Sequence, residues 1–139
     1  MVTKNSIDET ILPLLNRSMD AFTLRQRAIA NNVANAEVPG YRRVEVEFEE
    51  HLREVLRKHD QLLTRTDSDH LPDPQAVENI PVLMRDAPDD ESSGSGLNGV
   101  DIDQEMASLA KAMLAFRFSS RMTRNEFDML RKAITGSSF

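Results

Sequence analysis

The stretch DIDQEMASLAKAMLAFRFSSRMTRNEFDMLRKAI, residues 101–134, decides how this chain folds. Its apolar positions alternate at spacings of three and four residues, which is the pattern of a coiled-coil seam. One row of the seam is Ile102, Leu109, Phe116, Thr123 and Leu130, and the other is Met106, Met113, Ser120, Phe127 and Ile134. The pattern predicts one helix on the order of 50 Å long.

Both ends of this predicted helix carry recognisable signals. Asp101 is a good N-cap, and Gln104 stands three residues later, where a capping box requires it. Asp103 and Glu105 place negative charge in the first turn, where the helix dipole favours it. Gly136 follows the last turn as the C-terminal stop of the helix.

A second apolar stripe runs beside the seam of the same helix. It consists of Ala115, Phe118, Met122 and Met129. A helix that is apolar on two flanks is usually buried in a bundle or an assembly. The alternative is that these side chains only widen one core face, but a small domain cannot cover so long a helix. We therefore expect contacts with other subunits.

A matching seam lies near the N-terminus. Leu15, Phe22, Ile29 and Ala36 recur every seven residues, and a second row contains Leu12, Met19, Gln26 and Val33. Gln26 is the one polar intrusion, and a buried amide in a seam can fix register. Pro13 is tolerated near a helix start, so we predict a helix over residues 13–36.

The sequence thus predicts a mainly α fold in which long N- and C-terminal helices pair as an antiparallel coiled-coil hairpin, with a small irregular middle region. The expected helix seam lies at Leu15, Phe22, Ile29, Val33, Met106, Met113, Phe116, Phe127 and Leu130.

The middle region has a different character. Residues 44–48 alternate apolar and acidic side chains, which indicates a short extended piece, and residues 48–63 suggest a short amphipathic helix. Residues 89–99, DDESSGSGLNG, have the composition of a flexible linker. We expect an N-terminal axial helix and turn over 1–43, a middle region over 44–100 and a coiled-coil helix over 101–139.

Composition excludes several classes of function. The net charge is −6, with basic residues interleaved among acids, which argues against nucleic-acid binding. The chain has no cysteine, and no zinc, calcium, phosphate-loop or catalytic motif is present. We therefore expect no enzyme activity, catalytic residue, cofactor, metal or small-molecule substrate. No run is long enough to span a bilayer, and the N-terminus does not resemble a cleaved secretory signal.

The stretch ANNVANAEVPGYRR, residues 30–43, ends the first helix with a cluster of amides and a sharp corner. Pro39-Gly40 is the residue pair of a type II turn. The asparagines at 31, 32 and 35 are poor helix formers whose amides bond both backbone and neighbouring groups. By physics alone they fit either a surface where subunits meet or a fraying helix end.

Residues 30–36 with Pro39-Gly40-Tyr41 resemble the N-terminal signature of the rod, hook and hook-associated axial proteins of the bacterial flagellum. LTRTD at 63–67, NGVDIDQEM at 98–106 and FDMLRKAI at 127–134 are similar to the proximal rod members of that family. Gly99 departs from the family, which more often has a second Asn there.

The resemblance implies a structural subunit of the basal-body rod, exported unfolded from the cytoplasm without signal-peptide cleavage and located in the periplasm. It implies contacts with its own copies, with a FlgC-type rod protein, with the FliE-type adapter and the membrane ring, and with the export apparatus. The expected subunit interface comprises Asn31, Asn32, Asn35, Pro39, Gly40, Tyr41, Phe118, Met122 and Met129. The alternative is a cytoplasmic coiled-coil chaperone or adapter of the export system.

Overall fold

The computed structural model of the chain describes residues 6–62, 77–87 and 99–136. Helix α1 covers Ser6–Ala34, strand β1 Val44–Glu47 and helix α2 Glu49–Leu62. Strand β2 covers Leu83–Asp86, and helix α3 covers Ile102–Thr135. The predicted mainly α fold is confirmed: the long helices at the two ends of the chain pack against each other, and the strands lie in the middle region.

Helix α1 begins earlier than the sequence predicts. It runs through Pro13, which was expected near the helix start, and it ends at Ala34 rather than at residue 36. Proline within a helix removes one backbone hydrogen bond, and its ring crowds the carbonyl group four residues earlier, at a cost of about 3 kcal/mol. The helix nevertheless continues on both sides of Pro13.

The predicted N-cap at Asp101 and the predicted helix stop at Gly136 are confirmed. The Asp101 side chain accepts hydrogen bonds from the backbone N–H of Asp103 at 2.9 Å and of Gln104 at 3.2 Å. Gly136 ends the helix with a left-handed φ of 64°. These caps satisfy backbone groups that a helix terminus otherwise leaves without partners.

The middle region combines a two-stranded sheet with α2. β1 pairs with β2 antiparallel, with Val44 opposite Asp86 and Glu47 opposite Leu83. The extended piece and the amphipathic helix were both predicted, whereas β2 was not. The sequence of β2, LMRD, does not alternate apolar and polar side chains, so no pattern predicts a strand there, and all four residues are exposed. Most of the predicted linker at 89–99 lies outside the described residues.

The hydrophobic core joins α1 to this middle region. Ala21, Phe48, Val77 and Ile80 are buried together, and Leu14, Leu52, Val55 and Val82 pack against them. Phe48 is the largest of the fully buried side chains. Burying a side chain of this size stabilises a fold by about 1.5–3 kcal/mol. The N-terminal helix and the middle region therefore share one core.

The end of α1 lies beside the beginning of α3, because Asn32 contacts Glu105. Since the two helices also pack along each other, they run antiparallel. The buried row of α3 is Glu105, Ala112, Ser119 and Glu126. This row lies one residue before the row of Met106, which corresponds to a rotation of about 100° around the helix axis.

The predicted seam is corrected accordingly. Met106, Met113 and Phe127 are exposed, whereas Phe116 and Leu130 are half-buried. On α1, Ile29 is buried, and Leu15, Phe22 and Val33 are half-buried. Gln26 is also half-buried, and the buried amide is Asn32 instead. Ala112 and Ser119, the small side chains in the middle of this row, allow the two helices to approach closely. The same rotation turns Glu105 towards its polar partners.

Candidate functional site

A buried asparagine lies where α1, β1 and α3 meet. The Asn32 side chain is fully buried. Its Nδ2 donates to the Val44 carbonyl at 2.9 Å and to Glu105 Oε2 at 3.2 Å. Its Oδ1 accepts from the Val44 N–H and from the Tyr41 hydroxyl, both at 2.9 Å. A carboxamide has two donor hydrogens and two acceptor lone pairs, and here all four are used.

This set of bonds explains why asparagine is present at position 32. Its amide pairs with both the N–H and the C=O of Val44, as a neighbouring strand would do at the start of β1. A buried polar group without partners costs about 1–3 kcal/mol. Because every bonding position is filled, Asn32 fixes the direction in which the chain leaves the turn.

Glu105 is the acidic member of the same cluster. Its side chain is 1 % exposed, and its Oε1 accepts from Arg43 Nε at 2.5 Å. Arg43 also pairs with Glu45. Burial lowers the pKa of Arg43, but the hydrogen bonds and charges of Glu105 and Glu45 outweigh it, so the pKa is raised above its usual value. Breaking a buried pair leaves an uncompensated charge, which is strongly destabilising.

The predicted type II turn is present at residues 38–41. The Tyr41 N–H donates to the Val38 carbonyl at 3.2 Å, and Gly40 has a φ of 76°. The turn directs the Tyr41 hydroxyl back to Asn32. Burial first, and then the negative charges of Glu105 and Asp86, raise the pKa of Tyr41. We call Asn32, Tyr41, Arg43, Val44 and Glu105 the junction cluster.

Two arginines of α1 bind the middle region to this helix. Arg25 donates to both carboxylate oxygens of Glu49 at 2.6 Å and to the Val46 carbonyl at 3.1 Å. The hydrogen bond from Arg25 lowers the pKa of Glu49. Arg17 Nε donates to the Ile80 carbonyl at 2.7 Å. Planar, two-point pairing of this kind fixes orientation as well as distance.

The residues predicted to contact other subunits fall into two groups. Asn31, Pro39 and Gly40 are exposed, and so are Phe118 and Met129, whose exposed fractions are 65 % and 53 %. Asn32 lies inside the chain, so the expectation that it faces a neighbour is corrected. Asn35, Tyr41 and Met122 are half-buried, and Asn35 donates its amide to the Asn31 carbonyl.

Sequence reasoning missed three members of the junction cluster: Val44, which takes part through its backbone, and the charged residues Arg43 and Glu105. Glu105 was interpreted as a first-turn acid that favours the helix dipole. The available signal was its heptad spacing to Ala112, Ser119 and Glu126, which together form a row of small or acidic residues. Charged residues are seldom fully buried unless they are paired. The apolar rows of α3 were therefore predicted to be the buried ones.

In the parts of the chain that the structure describes, no group of three or more histidine and acidic side chains is arranged to hold a metal ion. Within the same residues, no helix has the length and apolar character needed to cross a membrane.

Comparison with known proteins identifies the family. A family profile described as "Flagella basal body rod protein" matches residues 17–42, which include α1 from Arg17 onwards and the type II turn. The chain is 30 % identical over 100 residues to the flagellar basal body rod protein FlgB of Escherichia coli, covering 68 % of this chain and 71 % of that protein.

Two further relatives match over more of the chain. FlgB of Salmonella typhimurium is 29 % identical over 119 residues, covering 82 % of this chain and 85 % of that protein. FlgB of Bacillus subtilis is 25 % identical over 122 residues, covering 88 % and 91 %. The matches therefore extend well beyond the N-terminal signature, and the chain belongs to the FlgB family of flagellar basal body rod proteins.

Proposed function

We propose that this chain is a structural subunit of the proximal rod in the bacterial flagellar basal body, where it assembles by helix packing into a hollow helical drive shaft. Family membership supports a structural role in the rod. The observation that carries the proposal is the set of large apolar side chains left exposed along α3: Ile102, Met106, Met113, Leu114, Phe118, Phe127, Met129 and Ile134.

These side chains are too many and too contiguous for an ordinary helix surface. Leu114 and Phe118, at 70 % and 65 % exposure, are four residues apart and so lie on one face of α3. Met106, Met113 and Phe127 follow a heptad row beside the intrachain contact. Large exposed apolar patches mark interaction sites. In the assembled rod, helices of neighbouring subunits cover both groups.

The exposed part of the turn supplies polar contacts in this proposal. Asn31, Pro39 and Gly40 face outward from the junction cluster, together with Phe118 and Met129 of α3. Met122 of α3 is half-buried, the Asn35 amide donates to the Asn31 carbonyl, and the Tyr41 hydroxyl donates to Asn32. Asn32 acts only indirectly, by holding the turn in place.

The proposed partners are further copies of this chain, a FlgC-type rod protein, the FliE-type adapter and the membrane ring. The chain passes through the flagellar export apparatus unfolded and without cleavage, and it folds fully as it meets its neighbours. The three segments 1–43, 44–100 and 101–139 then serve as axial helix and turn, middle region, and second axial helix.

The proposal is tested by replacing Phe118 in a motile strain that produces this chain. Phe118→Asp places a charge in the apolar surface and should abolish motility and rod assembly. Export should remain intact, because the substitution does not prevent the chain from unfolding. Swimming in soft agar and fractionation of the exported chain measure these two effects.

Asn16→Asp is the matched control, because it adds the same charge at an exposed position of α1 outside the proposed interface. It should swim normally. Normal swimming of the Phe118→Asp strain would contradict the proposed interface. A chain that remains in the cytoplasm bound to another export substrate would favour the chaperone interpretation.

A further inference from the structure

The two edges of the small sheet differ in character. The outer edge of β1 faces α1, and side chains of that helix close it. Asn32 bonds to both the N–H and the C=O of Val44, and Arg25 donates to the Val46 carbonyl at 3.1 Å. Because these backbone groups already have partners, no further strand can pair with β1 on this side.

The opposite edge of the sheet, which belongs to β2, is open. In an antiparallel pair, the backbone groups of successive residues point alternately towards and away from the partner strand. Val44 and Val46 direct their backbone groups to α1 and therefore away from β2. The residues directly opposite them are Asp86 and Met84. These two residues of β2 therefore direct their own N–H and C=O groups away from β1.

A hydrogen bond just after β2 agrees with this alternation. The Ala87 N–H donates to the Arg43 carbonyl at 2.7 Å, so residue 87 faces β1. Asp86 and Met84 lie one and three residues before it, so they face the other way. Among the residues that the structure describes, no group bonds to the N–H and C=O of Met84 and Asp86.

The side chains at this edge are exposed and partly apolar. Leu83 and Met84 are 51 % and 40 % exposed. Opposite residues of a sheet share a face, so Met84 extends the apolar face of the buried Val46 outwards. An open edge with unpaired backbone groups is a template for another strand. A two-stranded sheet is also marginal by itself, and further strands stabilise it.

We propose that β2 pairs antiparallel with β2 of a second copy of this chain, so that the two sheets join into one of four strands across a two-fold axis. In this contact Met84 of one copy lies opposite Met84 of the other. A second copy supplies a strand of the same length with the same free backbone groups, and its charges fit in one register.

Charge selects that register. Since only alternate residues face outwards, the strands can pair with Met84 opposite Met84, with Met84 opposite Asp86, or with Asp86 opposite Asp86. The second register places the two Arg85 side chains opposite each other, and the third does so for the two Asp86 carboxylates. Like charges directly opposite destabilise a sheet. In the first register Leu83 lies opposite Arg85 and Val82 opposite Asp86, so no like charges meet.

The pairing does not depend on the proposed function. A two-fold contact closes on itself, so it joins two chains and does not extend into a filament. It concerns the chain in solution, and it uses none of the α3 side chains that carry the proposed rod contacts. Failure of either proposal therefore leaves the other standing.

Sedimentation equilibrium of the full chain measures the pairing as a monomer–dimer equilibrium. Met84→Pro removes an outward N–H but no hydrogen bond between β1 and β2, so it should block the pairing while the chain stays folded. The dissociation constant should rise about tenfold or more, because two backbone hydrogen bonds between the copies are lost. Phe118→Asp, which changes only the outer face of α3, is the control and should leave the constant unchanged.

Introduced cysteines test the register, because the chain has none of its own. Directly opposite residues of this kind have Cα atoms about 5.5 Å apart, within the range of a disulfide. Met84→Cys should therefore crosslink two copies when a thiol oxidant is added. Asp86→Cys is the matched control on the same edge and face. Its two copies lie four residues apart along the strands, about 14 Å, so it should not crosslink.

A chain that stays monomeric at every concentration would overturn the proposal and leave the edge to a strand of another protein. A dimer that Met84→Pro retains, or that Phe118→Asp abolishes, would also overturn it, because the copies would then meet elsewhere. Crosslinking of Asp86→Cys in preference to Met84→Cys would overturn the register. Met84→Cys introduces no proline, so it tests the edge even if the proline variant unfolds.

Discussion

The junction cluster and the outer face of α3, which carries Leu114 and Phe118, differ in how fully contacts within one chain bury their side chains and supply their hydrogen bonds. At the junction, Asn32 is fully buried and all four of its hydrogen-bonding positions are occupied. On the outer face, Leu114 and Phe118 expose most of their surface to water. The junction is complete in one chain, whereas the outer face requires a partner. Substitutions in the junction cluster should therefore lower the stability of the chain, whereas substitutions on the outer face should impair assembly.

The adjacent residues Asn31 and Asn32 show the same difference within one helical turn. They are the same residue type, but Asn31 is exposed and Asn32 is 0 % exposed. A rotation of about 100° between successive helix positions separates an outward side chain from an inward one. Chemical identity alone therefore does not indicate which amide stabilises the chain.

The largest loss of stability is expected when Asn32 is replaced. Asn32→Ala removes four hydrogen bonds and leaves the N–H and C=O of Val44 without their side-chain partner. We expect the free energy of unfolding to fall by about 3 kcal/mol, since each lost bond to a buried group contributes roughly 1 kcal/mol and some strain relaxes. Urea unfolding followed by circular dichroism measures this change.

Asn31→Ala is the control, and it should change the unfolding free energy by less than about 0.5 kcal/mol, as most surface substitutions do. Equal changes in the two variants would show that the four hydrogen bonds of Asn32 add nothing beyond helix propensity, which favours Ala over Asn. That outcome would remove the distinction between inward and outward residues.

A smaller loss of stability is expected when Gly40 is replaced. Gly40→Ala meets no atom within 4 Å, so steric crowding is absent. The backbone φ of 76° nevertheless disfavours any residue with a Cβ, at a cost of about 1–2 kcal/mol. Gly99 also has a positive φ, of 66°, so Gly99→Ala serves as a comparison outside the turn. An unchanged midpoint for Gly40→Ala would contradict the type II turn.

Tyr41 should make the stability of the folded chain depend on pH in the alkaline range. Because burial and nearby carboxylates raise its pKa, the folded chain keeps the phenolic proton to a higher pH than the unfolded chain, whose ordinary value is 10.0. The stability from this group is complete below about pH 10 and is lost as pH rises through the folded pKa. Tyr41 is the only tyrosine, so phenolate absorbance reports it alone.

Tyr41→Phe removes the hydrogen bond to Asn32 and should lower the unfolding free energy by about 1 kcal/mol at neutral pH. It should also remove this group's part of the alkaline decline in stability. A tyrosine that titrates at its ordinary pKa in the folded chain would place the hydroxyl in water, away from Asn32.

The smallest change in stability is expected on the outer face. Phe118→Asp, which should abolish motility, should change the unfolding free energy of the isolated chain by less than about 0.5 kcal/mol, because the side chain is already 65 % exposed. Thermal unfolding of the purified variant measures this. A loss of several kcal/mol would mean that Phe118 belongs to the core of the single chain and that the two regions do not differ.

The features that the sequence predicts well are those set by local chemistry. The Asp101 and Gly136 caps, the turn at Pro39-Gly40 and the extended piece at β1 each follow from a few neighbouring residues, and the structure contains all of them. The existence of two long helices follows from a periodicity sustained over many turns.

The features that it does not predict depend on contacts between distant residues. The apolar pattern places Met106 and Met113 in the seam, but the buried row of α3 is the adjacent one, which consists of small and acidic residues. The contacts of Glu105 with Arg43, 62 residues away, and with Asn32 accompany the row that turns inward. The strand β2 likewise forms because β1 offers it a pairing edge, and its own side chains are all exposed.

The central claim is that this chain is built into the rod, and the most direct measurement is an immunoblot on purified basal bodies beside the cytoplasmic fraction. The account predicts that the chain remains in the detergent-resistant basal body together with the other rod proteins. Detection in the cytoplasm alone would contradict it, because the apolar surface of α3 would then serve a passing client of the export system.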